Sequence, residues 1–460
     1  MKITIPTVNN PNYLSLFWIV LSYTIFHWII YAFTSSHITI HDLVIDEREY
    51  LKAAADLINQ GVYRISGDQP AFKPPVYPIL LAGIKYLFGG KFYQIGFFHY
   101  VLTILTAWQI FRISRVWYSQ RIALFVVTMF LFFPFLELYR MLFYSETLFV
   151  FLLIQGFAII IVGSGEENKR KTIFAGLCWG FAGLLRPESL PLFTILIIIY
   201  LIQRQFRRGL LILISVSLVF APWLVRNTLL YGQPVLATSS GYNLWLGNNP
   251  QATGTSFAKE ESPDSEFGRV THYAYKQIPA ERDDERSAYF RRAALSFIGN
   301  NFGEFLLLGC KKLAFLWNSE DRTYLWVTTT GRIRVDSILL PLYFYFLAKI
   351  TFVLLCLAYL FFIFKPPTGS LKRVLLSYPL IISAVFFWLN AEDRYHLQCL
   401  PFMMLLLPEI YLNRKEIGQK IRSSPLRIVA YVLLAVLLAW GWVYSSLFYE
   451  NHRAQQISTN

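Results

Sequence analysis

The feature that most constrains this chain is the recurrence of apolar runs close to 20 residues long, separated by short basic loops. A helix needs about 20 residues to cross roughly 30 Å of hydrocarbon. In lipid such a run is confined to a helix, because its backbone groups must be paired within the segment. Eleven spans follow: 14–33, 92–111, 121–136, 144–163, 172–186, 189–203, 208–225, 338–364, 374–390, 397–412 and 428–447. The third, fifth and sixth are short, which a tilted neighbour, a thinned bilayer or a half-helix accommodates. The run 14–33 lacks a clear small-residue cleavage site and is expected to persist as the first helix. With 55% hydrophobic, 17% aromatic and 15% charged residues, the composition excludes an ordinary soluble domain. The expected fold is an all-α polytopic membrane protein.

The net charge of +14 suggests a nucleic-acid binder until its distribution is considered. The N-terminus and the loops 112–121, 164–172, 203–208, 365–373 and 413–427 hold 18 Lys and Arg against Glu166, Glu167 and Glu416. Such a bias marks cytoplasmic loops, not a phosphate-binding surface. It holds only if 76–88, VYPILLAGIKYLF, does not cross the membrane. That segment has 13 residues with Pro78 and Lys85 inside, a length typical of interfacial or re-entrant pieces. Were it to span, every later basic loop would face outward.

Two sizeable extracytoplasmic segments result, 34–91 and 226–336. The chain then divides into an N-terminal transmembrane catalytic module, 1–225, an extracytoplasmic α-rich loop domain, 226–336, and C-terminal helices, 337–460. Residues 48–60 have the pattern of an amphipathic helix closed by Gly61. Residues 226–280 open with a Gly-, Asn-, Ser- and Pro-rich stretch expected to be loops. Residues 281–316 have the spacing of a helix lying on the membrane.

Polar residues with chemical potential gather on the side of these segments. Asp46 and Glu47 are adjacent acids at a membrane boundary, where lost hydration raises a carboxyl pKa toward that of a general base. Asp46 and Glu49 also fit a helix-capping box. Lys73 precedes Pro74 and Pro75, which stiffen its loop, and Tyr77 follows; a fixed ammonium there suits a phosphate head group, or snorkels to water. Glu137 with Arg140, Glu146, Arg186 with Glu188, and Glu392-Asp393-Arg394-Tyr395-His396 lie at outer helix ends, where costly charges line a cavity or form ion pairs. Arg226, Asn243 and Asn248, among Trp and Tyr, suit either sugar contacts or turns in an aromatic belt. His37 and His41 have helical metal-ligand spacing, but SSHITIHD is better read as a loop. Cys178, Cys310, Cys356 and Cys399 are read as small apolar residues. No Gly-rich phosphate loop, zinc signature or serine-hydrolase motif is present.

In order along the chain stand Ile45-Asp46-Glu47 with Tyr50, Lys73-Pro74-Pro75 ahead of a segment ending Phe88-Gly89-Gly90, Gly183-Leu184-Leu185-Arg186-Pro187, and Arg394-Tyr395. This arrangement resembles the C-type glycosyltransferases that use polyprenyl-phosphate sugars, in the bacterial branch related to aminoarabinose transferases and protein O-mannosyltransferases. The segment Pro222 to Asn248 is similar to a bacterial subgroup. The resemblance implies a C-type glycosyltransferase fold in a bacterial plasma membrane, with an extracytoplasmic active site. It implies Asp46 as the base and Lys73 at the lipid phosphate, with the cations Arg186 and Arg394 near the site; the residues themselves add Glu47 to the catalytic pair and place Tyr77, Arg140, Glu146, Arg226, Asn243, Asn248 and Tyr395 around the substrate. The expected reaction is inverting sugar transfer from a polyprenyl-phosphate donor to a glycan, lipid or protein acceptor. No cofactor is required; a divalent metal is compatible but not indicated. The alternative is a transporter or flippase of a lipid-linked or anionic substrate, although the inverted halves of many transporters are not evident.

The topology has a direct check. In a cysteine-free background, single cysteines at positions 60 and 368 are expected to react with an impermeant thiol reagent from opposite sides of the membrane. Labelling from one side would reject the interfacial assignment of 76–88.

Overall fold

The structure, a computed structural model, describes residues 13–35, 43, 45–163, 168–318 and 342–458. The His37–His41 pair with Asp42, most of the N-terminal stretch, residues 164–167, residues 319–336 and the start of the span 338–364 lie outside the described residues. Among the described residues the regular elements are helices, joined by two isolated bridges, Ile65–Gln69 and Ala252–Ala258.

The N-terminal half comprises α1 (Tyr13–Ser35), α2 (Ile45–Gln60), α3 (Val76–Phe88), α4 (Phe92–Trp117), α5 (Gln120–Phe132), α6 (Pro134–Met141), α7 (Glu146–Val162), α8 (Lys169–Leu185), α9 (Leu190–Ile202) and α10 (Phe206–Tyr231). Then come α11 (Ser239–Gly247), α12 (Glu266–Gln277), α13 (Asp283–Asn300) and α14 (Phe302–Leu316). A π-turn, Leu342–Leu347, leads into α15 (Ala348–Leu360), followed by α16 (Ser370–Trp388), α17 (Leu400–Leu412), α18 (Arg414–Ser423) and α19 (Pro425–Ser458).

Over the described residues each of the eleven expected spans falls on helix, the third broken at Phe133. Among the described residues, five units are long and apolar enough to cross a membrane alone: Tyr13–Ala32, Phe206–Tyr231, Leu342–Ile363, Ser370–Trp388 and Pro425–Phe448. The number rises to seven if each of two bent pairs counts as one span: α5 with α6, bent by 50°, and Ala280–Asn300 with Phe302–Leu316, bent by 111°. α7 and α9 are shorter apolar helices. α4 and α8 carry more polar residues, which interior helices tolerate because they face protein.

α3 has the expected limits. It opens after Pro75 and closes where Gly89 and Gly90 take φ of 89° and 69°, a left-handed region favouring glycine. Its 13 residues extend about 20 Å. Leu81 and Ile84 are buried against α2 and α4, while Ile79, Tyr86, Leu87 and Phe88 are exposed. That outward apolar edge suits a membrane interface.

α8 sits between α7 and α10. Its glycines let the backbones approach closely: a Cβ on Gly176 would lie 2.7 Å from Ser215 Cβ, and one on Gly180 would lie 2.8 Å from Val219 Cβ. Small residues at such spacing drive close helix packing in lipid, where burying apolar surface gives little.

The expectation of loops after 225 is corrected. α10 runs on to Tyr231, and α11 forms through Gly241 and Gly247. These glycines serve close approach, not turns: a Cβ on Gly241 would strike the Ser287 carbonyl, and one on Gly247 would lie 2.6 Å from Leu389 O. α12 was not foreseen at all. Beside this packing, Lys312 of α14 is fully buried and donates to Asn248 Oδ1 at 2.8 Å and to the carbonyls of Phe387 and Trp388 at 3.2 and 3.4 Å. It pins the α11–α14 unit to the end of α16.

Two alanine substitutions should shift thermal unfolding in opposite directions. Gly180→Ala forces Val219 to move and is expected to destabilise by about 1–3 kcal/mol. Gly83→Ala meets nothing within 4 Å in α3 and is expected to be neutral or to stabilise by up to about 1 kcal/mol.

Candidate active site

Asp46 lies in the first turn of α2. Its Oδ1 accepts from Lys73 Nζ at 2.8 Å, and its Oδ2 accepts from Arg394 Nη1 at 2.6 Å. The three side chains keep 17–23% exposure, so the bridge is partly open to solvent. Lys73 also donates to Glu49 Oε2 at 3.0 Å, which accepts from Ser66 Oγ at 2.7 Å. The capping-box alternative is therefore not realised: both carboxylates turn to cations contributed by other segments.

Arg394 lies in the 3-10 turn Asp393–Cys399, which enters α17. Its Nε is 2.8 Å from Glu392 Oε2, and its guanidinium stacks on the rings of Tyr144 and Tyr395 at 5.1 and 5.5 Å. Arg186, where α8 ends, binds Glu146 and Glu188 and lies 5.7 Å from the same Tyr395 ring. Tyr395 stacks on Phe386 at 4.4 Å. Tyr50 supports the ammonium of Lys73 at 5.0 Å and rests edge-on against Tyr77. Thus Asp46, Lys73, Glu146, Arg186, Arg394 and Tyr395 come together, from five segments of the chain.

Burial alone would raise the Asp46 carboxyl, but Lys73 and Arg394 outweigh it and hold it well below the usual carboxylate range. Burial alone would lower the Lys73 ammonium, but Asp46, Tyr50 and Glu49 hold it above its ordinary value. Both groups are therefore ionised at neutral pH.

Other candidates stand apart. Glu47 is fully buried, and its Oε1 accepts from the Phe143 amide at 2.7 Å, fastening α2 to the α6–α7 turn. Tyr77 is buried and shares a 3.1 Å hydrogen bond with His99 Nε2. Arg140 belongs to another network, where it reaches Glu137, Tyr23 and the carbonyls of Leu131 and Phe130. Those carbonyls are left open at the end of α5, and the arginine closes them inside the bundle. Glu137 is also held by His27 Nδ1 at 2.6 Å and the Tyr23 hydroxyl at 2.8 Å. Arg226 stacks on Trp223 and donates to Pro70 O at 3.1 Å. Asn243 follows Tyr242, whose ring meets Phe72, and Asn248 is engaged with Lys312. His396 is buried between Trp317 and Phe352; burial pushes its imidazole down to about 3, so it is neutral.

The residue that sequence reasoning missed is Asp283, the first residue of α13 and 1% exposed. Its Oδ2 accepts from the Ala71 amide at 3.0 Å and the Thr238 hydroxyl at 2.8 Å, and its Oδ1 accepts from the Tyr231 hydroxyl. The backbone amides of Thr238 and Ser239 donate to the carbonyls of Ala71 and Phe72. Tyr63 donates to the Lys73 carbonyl at 2.7 Å from the other side. The loop carrying Lys73 is thus clamped by the 226–318 unit. The paired acids Asp283-Asp284 at a helix start were the only hint in the sequence.

Comparison with known proteins adds one family match. The sequence model of the family described as dolichyl-phosphate-mannose-protein mannosyltransferase matches residues 72–225. This bears out the resemblance to the C-type glycosyltransferase superfamily. No curated protein sequence matches the chain. Among solved structures, ArnT from Cupriavidus metallidurans bound to undecaprenyl phosphate aligns at 14% identity and a TM-score of 0.40, over 88% of this chain and 78% of that one. The apo oligosaccharyltransferase of Archaeoglobus fulgidus aligns at 12% identity and a TM-score of 0.48, over 94% of this chain and 55% of that one.

Asp283→Ala would leave the Ala71 amide and two hydroxyls without their acceptor. A loss of about 3 kcal/mol is expected, with faster hydrogen exchange at the Ala71 amide. Unchanged exchange there would show that the clamp does not hold the loop.

Proposed function

We propose that the chain works as a C-type membrane glycosyltransferase, moving a sugar from a polyprenyl-phosphate donor to an acceptor on the extracytoplasmic face of a bacterial plasma membrane. The observation that carries this reading is the bridge from Lys73 through Asp46 to Arg394, which puts a carboxylate base and two phosphate-binding cations within one hydrogen-bond length. The acceptor is a glycan, lipid or protein hydroxyl or amine.

In the free protein the cations are occupied by Asp46. An arriving lipid phosphate takes over Lys73 and Arg394, with Arg186 beyond Tyr395 adding to the positive field. Relieved of its cations, the Asp46 carboxylate rises toward the range of a working base. The acceptor heteroatom then attacks the anomeric carbon, its proton passes to Asp46, and the carbon–oxygen bond to phosphate breaks. The bonding electrons stay on the phosphate oxygen, where the fixed cations stabilise the developing charge. Attack opposite the phosphate inverts the anomeric centre. Glu47 anchors α2 so that Asp46 keeps its position. The charge of the leaving phosphate is met by side-chain cations, so a metal is not required.

The test is incubation of the purified protein with extracted polyprenyl-phosphate sugars and candidate acceptors, with products read by mass spectrometry. Asp46→Asn is expected to lower transfer about 10²–10⁴-fold while the protein still folds and binds donor. Lys73→Ala is expected to raise the donor KM, and EDTA to leave the rate unchanged. Near-normal transfer by folded Asp46→Asn protein would refute the assignment of the base.

A further inference from the structure

A cleft of about 570 Å³ opens between α5 and α17, lined by Arg121 and Phe125 on one side and by Leu407, Ile410, Tyr411 and Arg414 on the other. It lies at the end of the bundle opposite the Asp46 cluster. α5 leads away from Arg121 through α6 to Phe143, whose amide binds Glu47, and α17 begins just after the turn that carries Arg394. Each of these helices has 13 residues, which puts about 20 Å between the two ends. The sequence assigns this end to the cytoplasm.

The charges around the cleft are unbalanced in one direction. The nearby acids are already matched, Glu409 by Lys372 and Glu416 by Lys365. No carboxylate pairs with Arg121 or Arg414 among the described residues. Arg414 donates to Tyr411 O at 2.9 Å and stacks over that ring at 4.4 Å, which orients its guanidinium and leaves further donors open. Phe125 and Tyr411 remain exposed at 56% and 63%, so the wall between the two arginines is apolar. A free inorganic anion gains nothing from such a wall. A lipid with an anionic head satisfies both parts, because a guanidinium fork matches phosphate oxygens and the aromatic and aliphatic wall takes the chains.

We propose that this cleft is a binding site for one anionic phospholipid of the membrane leaflet, its phosphate held between Arg121 and Arg414 and its upper acyl chains against Phe125, Leu407 and Ile410. The site is independent of the sugar-transfer reading.

The test is native mass spectrometry of the purified full-length chain, titrated separately with phosphatidylglycerol, phosphatidylcholine and inorganic phosphate. Tight retention of phosphatidylglycerol is expected, weak retention of phosphatidylcholine, and none of phosphate. The double variant R121Q/R414Q is expected to bind phosphatidylglycerol about 30-fold more weakly at an unchanged melting temperature, and R121K/R414K to fall between the two, since lysine keeps the charge but not the fork. Equal retention of phosphatidylcholine would mean an unselective apolar surface. Phosphate binding that displaces the lipid would mean a bare anion site. Unchanged lipid binding by R121Q/R414Q would place the lipid elsewhere. Each of these three results overturns the proposal.

Discussion

The architecture turns on one carboxylate held between two cations at one end of the helix bundle. Asp46 is joined to Lys73 and to Arg394, a residue 348 positions away in the chain. A partly buried charge is tolerated only when its partner is close and well oriented. Each member therefore requires the others, and with them the segments that carry them. α2 is fastened through Glu47 to Phe143, the Lys73 loop is held by Asp283 and Tyr63, and Arg394 leans on Tyr144 and Tyr395. The helices supply the frame, and their ends and the turns between them carry the charged residues.

A second ionic network shows how the same residue types serve packing instead. His27, Tyr23, Glu137 and Arg140 meet at the break between α5 and α6, all of them inside the bundle. Arg140 answers backbone carbonyls that the end of α5 leaves open. Both networks pair Arg with acids near a helix end. The difference lies in access: the side chains of the Asp46 bridge stay partly exposed, whereas Arg140 is 3% exposed and saturated by the protein.

This access allows the exchange on which the proposed chemistry rests. A base whose cations already neutralise it is a poor proton acceptor. A base whose cations are claimed by an incoming phosphate becomes a good one. In the proposed mechanism the ion pair thus stores the site in a satisfied form and releases the base when the donor arrives. Pre-placed cations also avoid the reorganisation that water would need around the leaving group.

Much was legible from local pattern. The positions of the helices followed from apolar run length, the limits of α3 from Pro75 and Gly89-Gly90, and the gathering of Asp46, Lys73, Arg186 and Arg394 from the side on which each helix end fell. Those features depend on hydrophobic length and on backbone chemistry within a few residues. Local pattern did not separate Arg394, which meets Asp46, from Arg140, which braces a broken helix. Nor did it show that Glu47 faces the interior, that Gly241 and Gly247 admit neighbouring backbones, or that Asp283 holds the Lys73 loop. The sequence by itself determined where the long apolar helices lie and which charges sit at their ends. Only the tertiary structure decided which of those charges touch, because pairs such as Asp46 with Lys73, 27 residues on, and with Arg394, 348 residues on, depend on how neighbouring helices and loops pack.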